Sequence, residues 1–524
     1  MRGRRASRRD SPRAPARSRP GPRAAKTRAP AKPFPPGEYP IVIVGSGPGG
    51  LQMSYFLSAL GLRHAMISAD PGPGGMFRQF PLFQKLNSWS KPYPPVAPTS
   101  RHYAWYDWNS LLADDAAQHV LVPEFMDGST YFPTREQMEL GLVTFAERAA
   151  IAVRYGCRWE STRRAEGGGL VLGTSDGEYA CRVAIFAVGM AEPWKPVVPG
   201  IDMVPHYAEA KISRQYAGRT VFILGKRTSA FEMADAILPW ARQIVLLSPR
   251  PPLLSINTRS TAGVRARYLL PYEDYVLGGG VFAIDAAVSR IERAAAGYRI
   301  YASGTTRPGD FIFDVDLVLA ATGWTTPLGD LRTLGLATFA QDRIPALTPF
   351  WESTTVPGIF FAGATTQGAV GLRKYGIPSN SGGVGGFRHN ARVLAAYLGR
   401  RHFGLDLPKP RVSPDRVVPY LLSEASTAAE LWNQRSYLAR VVSFDASDGI
   451  RDDGILPLQF FVDSPGADAA AVVLETDQSG DNHPAVYVRR GNQVSEHALD
   501  GDPLLNFQSP RHAEQLSALL KGLL

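Results

Sequence analysis

The stretch from Pro40 to Gly50, PIVIVGSGPGG, narrows what this chain can fold into more than any other. Ile41, Val42, Ile43 and Val44 form a run of β-branched residues, the composition of a strand buried on both faces. Gly45, Gly47 and Gly50 follow at the spacing G-x-G-x-x-G, with Pro48 inside the turn. A helical stretch comes next, on which Leu51, Phe56, Leu57 and Leu60 make one apolar face. In that order the parts predict a phosphate cradle. Gly45 permits the tight turn, Gly47 lets a pyrophosphate approach the backbone, and Gly50 lets the helix pack close to the strand. The first N–H groups of the helix then face the anion. Flanked by strand and helix, the motif reads as a dinucleotide-binding unit rather than a plain βα turn.

At 524 residues the chain exceeds one ordinary domain, and about three are expected. Its 44% hydrophobic content allows large cores, while the longest apolar runs, such as RVAIFAVG, fall short of a membrane span. The net charge of +10 is local: residues 1–35 hold ten Arg, two Lys and one Asp, so they carry +11 and the remainder −1. The body of the chain therefore has no nucleic-acid footprint. Residues 1–37 read as a disordered basic tail, rich in Pro, Ala and Ser. An organelle transit segment and an anion-binding arm are the alternatives, and seven prolines disfavour the amphipathic helix that the first requires. Cys157 and Cys181 are the only cysteines and lie far apart in sequence. That excludes a disulfide framework, a cysteine-built zinc site and a close redox pair, and it suits a reducing cytoplasm. The nine histidines show no metal-ligand spacing.

Beyond the first helix, HAMISAD (64–70) reads as a second strand. Its end offers Ser68 or Asp70 for the adenosine ribose, and either could serve. Residues 71–98 lack periodicity and predict either a surface loop or a lid, with Asn87 and Lys91 as candidates near a reacting ring. Thr134 with Gln137 three residues on predicts a capped helix over 134–151, and 155–188 reads as a β-meander closing in RVAIFAVG at Gly189. A second dinucleotide unit begins at TVFILG (220–225). Its turn, Gly225-Lys226-Arg227-Thr228-Ser229-Ala230, keeps the first glycine, has Ala230 at the third position and Arg227 at the second. Arg227 is then either the mark of a degenerate unit or a phosphate ligand in its own right. Arg250, after the next strand, stands where a cation would select NADPH through its 2′-phosphate. VDLVLAATG, ending at Gly323, and VPGIFFAGA, containing Gly363, repeat the pattern of a strand followed by glycine, and 380–398 opens glycine-rich before becoming helical. Further on, 423–442 reads as helix, LPLQFFVDS (456–464) and its successors as a small β-rich unit, and RHAEQLSALLKGLL as a final helix.

With those turns placed, residues 38–400 resemble the flavin-containing monooxygenase group of two-dinucleotide-fold flavoproteins through GSGPGG, AVG (187–189), GxxxSAFE (225–232) and ATG (321–323). GLQMSYFL, GKRTSAFEMAD and GGFRHNAR are more similar to the FAD-dependent oxidoreductase-domain subfamily, related to the N-hydroxylating and Baeyer–Villiger branches. Three departures stand out: Arg227; Ala364 after Gly363, where an aspartate is common; and 187–207, which matches the interdomain signature only at His206 and Tyr207. The resemblance implies an α/β fold with two Rossmann-like dinucleotide-binding domains, for FAD and NADPH, plus a small α+β C-terminal appendage. The expected division is 38–200 and 331–404 for FAD, 201–330 for NADPH, and 405–524 for the appendage. It implies an NADPH- and O2-dependent monooxygenase working through a flavin C4a oxygen adduct on a small nucleophile such as an amine or amino acid. The alternatives are an FAD-dependent reductase or oxidase without oxygen insertion, and a non-catalytic flavoprotein scaffold. No nucleic-acid or membrane partner is implied, and a homo-oligomer is compatible with the resemblance. If Arg250 holds the 2′-phosphate, Arg250→Ala is expected to raise KM for NADPH at least tenfold more than KM for NADH, about 1.4 kcal/mol of selective binding; steady-state kinetics showing equal effects would contradict that role.

Overall fold

The computed structural model describes residues 32–211, 214–258, 263–270, 272, 280–372, 374–445 and 447–524. The basic tail expected over 1–37 falls largely outside them. Its last residues run beside the first sheet, where Arg154 donates to the Pro33 carbonyl (3.2 Å) and Tyr179 to that of Phe34 (2.8 Å).

The first sheet is built on β1 (Gly37–Val44), whose Ile41, Val42 and Ile43 are wholly buried as their composition demands. β2 (His64–Ser68) and the short β3 (Arg154–Tyr155) extend it in parallel on one side. β4 (Trp159–Arg164), β5 (Leu170–Thr174) and β6 (Gly177–Phe186) form the meander. The long β6 is shared: β1 lies parallel along one edge, while β5 takes the first half of the other edge. The second half of that edge pairs with a strand that returns from far along the chain, at Ile359–Phe361. Helix α1 (Pro48–Ala59) has every position from Pro48 to Leu57 buried, not one apolar face alone. The cause is a second layer: the long glycine-started helix Val384–Phe403 packs across α1 and covers its outer side. Helix α2 (Arg135–Arg148) starts where the capping box predicts, with Thr134 accepting from the Gln137 N–H and Gln137 accepting from the Thr134 N–H (2.8 Å).

A second sheet repeats the plan. β7 (Thr220–Leu224), β8 (Gln243–Ser248) and the start of β9 (Val281–Ala294) run parallel, with α3 (Thr228–Ile237) joining the first two. β10 (Gly297–Gly304) and β11 (Asp310–Val315) add an antiparallel edge, and β12 (Leu317–Ala320) pairs parallel with β7 from the other side. β13 (Ile359–Phe361) and α4 (Val384–Phe403) then bring the chain back to the first sheet.

The remaining chain forms a third unit, and here several sequence expectations need correction. The helix expected over 423–442 is instead α5 (Pro414–Thr427) and α6 (Ala429–Asn433), followed by a strand, β14 (Leu438–Asp445). Pro414 occupies the first turn of α5, where its missing N–H costs nothing, and the run Leu-Ala-Arg-Val-Val-Ser-Phe alternates across a sheet. β14 lies between β15 (Gly449–Pro457) and β16 (Ala469–Thr476), with β17 (Asn482–Arg490) and β18 (Gln493–Ala498) beyond, all antiparallel. LPLQFFVDS only begins as the end of β15 and then forms α7 (Leu458–Asp463), a run too short for periodicity to distinguish helix from strand. LLNFQS takes no strand, while the final helix is α8 (Pro510–Leu520). Sheet side chains such as Val472 and Val486 pack under α5 and α8, and alternate residues such as Val473 and Tyr487 pack against α7.

Candidate functional site

The two glycine turns are built alike. The Gly45 N–H donates to Ile67 O (2.8 Å) and the Gly225 N–H to Leu247 O (2.7 Å). Ala187 N–H donates to Val44 O and Ala321 N–H to Leu224 O, so the residue following a neighbouring strand locks each turn from beneath. A Cβ on Gly45 would lie 2.6 Å from Ala187 O, and one on Gly225 would lie 2.4 Å from Ala321 O. Both glycines also have left-handed φ, +107° and +131°, so no other residue suits either place.

In the first turn Gly50 packs behind, its would-be Cβ 2.0 Å from Gly45 O, and Gly49 abuts the Gly363 backbone. Gly47 differs. A Cβ there meets nothing nearer than Gly75 Cα at 3.7 Å, because the space before it is the cavity. Gly47 is also the N-cap of α1 and has no side chain to satisfy the first N–H groups, with Pro48 at N1. An empty space in front of an uncapped helix N-terminus fits a pyrophosphate. At the end of β2, Ser68 is buried and bonded to Ser46 (2.8 Å) and Asp70 (3.3 Å). Both residues line the cavity.

The second turn departs from the first as its sequence does. Lys226 is buried and ion-paired with Asp285 of β9, whose other oxygen accepts from Thr306 (2.7 Å). Arg227 is the N-cap of α3 in extended backbone, φ −113°, so the arginine imposes no strain; it is exposed. The Arg343 guanidinium lies 4.4 Å over Trp194, and burial followed by the charge of Arg227 lowers its pKa. Two cations thus approach the start of α3. Ala230 is buried in that helix, Arg250 is exposed just beyond β8, and Gly323 accepts from Trp194 N–H (3.0 Å) and His206 (3.0 Å).

A single cavity of about 700 Å³ runs from one turn to the other. Gly45, Gly47, Pro48, Ser68, Asp70, Gly189 and Gly363 line its first part, and Thr228 and Ser229 of α3 line the far part. Asn87 is in its wall, with a buried Oδ1 that has no hydrogen-bond partner among the described residues. Lys91 is not. It is exposed, with its ammonium 5.4 Å above the Tyr106 ring and its N–H donating to Tyr106 O, so the expectation of a place beside the reacting ring is corrected. Residues 85–88 line the cavity, and the segment is tied to the chain behind it. Ser88 bonds Asn109, Ser90 bonds Asp107, and Arg388 of α4 donates to the carbonyls of Ala104 (2.8 Å), Asp107 (2.6 Å) and Ser110 (2.6 Å). Gly382 and Gly383, the latter the N-cap of α4, also line the cavity, and Met76, Phe77, Phe80 and Trp324 supply apolar cover.

Sequence reasoning missed Glu232. It lies one turn into α3, 5% exposed and facing the cavity, with Tyr207 donating to one carboxyl oxygen and Tyr268 to the other (3.2 Å). Burial pushes its pKa up to about 7. Arg267 links Tyr268 (2.5 Å) to Leu86 O (2.8 Å), joining this cluster to the Asn87 wall. The final residue of the GxxxSAFE motif was the available signal.

The model described as pyridine nucleotide-disulphide oxidoreductase matches residues 42–363, more than half of the chain. The mouse protein "FAD-dependent oxidoreductase domain-containing protein 2" is 27% identical over 433 residues, 76% of this chain and 64% of that protein. The chain thus spans less than two thirds of that relative's length. A ferredoxin–NADP reductase of Salinispora tropica is 27% identical over 381 residues, 69% of this chain and 97% of the reductase. Among solved structures, the ornithine N-hydroxylase of Kutzneria sp. 744 has a TM-score of 0.51 at 16% identity, covering 70% of this chain and all of that one, and shows the shared fold.

Three outcomes are expected from this site. Gly47→Val leaves the fold intact, with a melting temperature close to wild type, but lowers affinity for the dinucleotide at least a hundredfold. Gly50→Ala, forced against Gly45 O, costs about 1–3 kcal/mol of stability instead. A Gly47→Val protein that purifies fully loaded contradicts the first. Because Glu232 binds its proton more tightly folded than unfolded, it favours the native state at low pH and loses that advantage as pH rises from about 4.5 to about 7. Glu232→Gln is therefore expected to gain stability relative to wild type between pH 5 and pH 8, by at most about 3 kcal/mol. Denaturation curves with a pH-independent gap would contradict it.

Proposed function

The chain belongs to the pyridine nucleotide-disulphide oxidoreductase family, and within it we propose that the protein is an NADPH- and O2-dependent FAD monooxygenase acting on a small nucleophile, foremost an amine or amino acid. FAD and NADP(H) are its cofactors. The observation that carries the reading is the single cavity joining the Gly47 turn to Thr228 and Ser229, which brings two nucleotide cradles onto one reaction space. Despite the family's name, a dithiol route has no support in this chain. Cys157 and Cys181 are free and buried, neither lines the cavity, and burial pushes the Cys181 thiol up to about 12.

FAD, when bound, supplies the hydride acceptor for NADPH and the activation of O2. The chain's own tasks are then binding, orientation and exclusion of water. Gly47 and the α1 N-terminus hold the pyrophosphate; Asp70, oriented by Ser68, accepts from a ribose hydroxyl. Arg227 and Arg250 are the residues for NADPH phosphates. The unpartnered Asn87 oxygen accepts a hydrogen bond from the ring or substrate side of the cavity. Glu232, poised near neutrality, holds or releases a proton at its carboxyl oxygens, with Tyr207 and Tyr268 fixing their direction. Phe77, Phe80 and Trp324 keep water from this space.

A second reading, an FAD-dependent NAD(P)H reductase that inserts no oxygen, is favoured by the Salinispora tropica relative, a ferredoxin–NADP reductase matched over 97% of its length. Both readings can be tested by following NADPH oxidation in air against a panel of amines, amino acids, sulfides and ketones while measuring H2O2. For an oxygenase, one class is expected to cut the H2O2 released per NADPH to less than half and to carry label from ¹⁸O2 into product. H2O2 equal to NADPH consumed with every compound would contradict oxygenation and leave the reductase.

A further inference from the structure

The C-terminal unit contains no part of the cavity wall, yet it reaches the cradle through a closed ring of buried side chains. Gln434, which follows α6, donates from Nε2 to Asn390 Oδ1 of α4 (2.6 Å). Asn390 Nδ2 donates to Ser381 Oγ (3.1 Å), and Ser381 Oγ donates back to Gln434 Oε1 (3.2 Å). Gln434, Asn390 and Ser381 are all 0% exposed. The second proton on Asn390 Nδ2 goes to Thr366 Oγ1 (3.0 Å), which in turn donates to Gly363 O (2.7 Å). Gly363 is the backbone that α1 meets at Gly49, and Ser381 immediately precedes Gly382 and Gly383 in the cavity wall. Alongside, the Asn380 N–H donates to Asn433 O (3.1 Å).

We propose that Gln434 is a positioning residue through which the C-terminal unit sets the two backbone turns, Gly363 and Gly382–Gly383, that face the flavin; this rests on the FAD reading above. A ring of three donors and three acceptors polarises around its circuit, and in a fully buried place each unmade bond leaves a polar atom without water to replace it. Gln434 therefore closes a geometry that Asn390 and Ser381 cannot hold alone. The N–H groups at the start of α4 favour negative charge nearby, so their placement bears on how well the reduced flavin is held relative to the oxidised one.

The test uses full-length protein stripped of flavin and titrated with FAD, followed by the flavin midpoint potential of the reconstituted holoprotein. Gln434→Leu is expected to weaken FAD binding at least tenfold and to make the potential more negative by about 30 mV, a tenfold loss of preference for reduced flavin. Combined with Thr366→Val, the loss in FAD affinity is expected to be smaller than the product of the two single losses, since both variants break one chain of bonds. A Gln434 that only stabilises its own unit would lower the melting temperature and leave potential and coupling unmoved. Unchanged affinity and potential, within twofold and 10 mV in a folded Gln434→Leu protein, would overturn the proposal. Should that variant not fold, the near-isosteric Gln434→Glu and Thr366→Val are held to the same criterion. Wild-type protein that takes up no FAD would instead overturn the flavin reading itself.

Discussion

A backbone carbonyl pressed against a glycine, once in each nucleotide unit, is the contact on which this structure depends. Ala187 O lies beneath Gly45 and Ala321 O beneath Gly225, each too close for any side chain. Those carbonyls follow β6 and β12, the strands that lie alongside β1 and β7. The turn therefore has one direction in which to leave the sheet, and α1 and α3 start at the same cavity. That geometry places the uncapped start of α1 and, one turn along α3, Glu232.

What could be read from residues alone follows from how local the information is. β1, α1 and β7 were legible because strand composition, glycine spacing and helix pattern all fall within some twenty residues. The capping box at Thr134 was legible for the same reason. Glu232 was not, since its partners Tyr207 and Tyr268 are 25 and 36 residues distant and meet it only through tertiary packing. Lys91 failed in the opposite way. A long polar loop offered several cations and amides, and their direction is set by tertiary bonds such as that of Ser90 to Asp107 and that of the Lys91 N–H to Tyr106 O. In the C-terminal unit, β14 was hidden within a stretch whose Leu, Ala and Arg content also suits a helix, and α7 was too short to reveal its period.

The chemistry of the site follows from burial and direction more than from strong acids or bases. The two thiols lie away from the cavity, so electrons have no cysteine relay to follow between the cradles. Burial raises the Glu232 pKa to about 7, and the two phenols fix where its oxygens point. Arg388 and Gln434 serve a different end: neither lines the cavity, and they bond the loop wall and the glycine turns from behind. That division gives the C-terminal unit a physical link to the cradle without any reacting group of its own.

If both cradles serve one reaction space, a pyridine nucleotide held at α3 reduces a flavin held at α1. Anaerobic mixing of the purified holoprotein with NADPH measures this most directly, through the bleaching of the flavin absorbance. Rapid bleaching, faster with NADPH than with NADH, is the expected result. A flavin-loaded protein that neither nucleotide bleaches would contradict the claim.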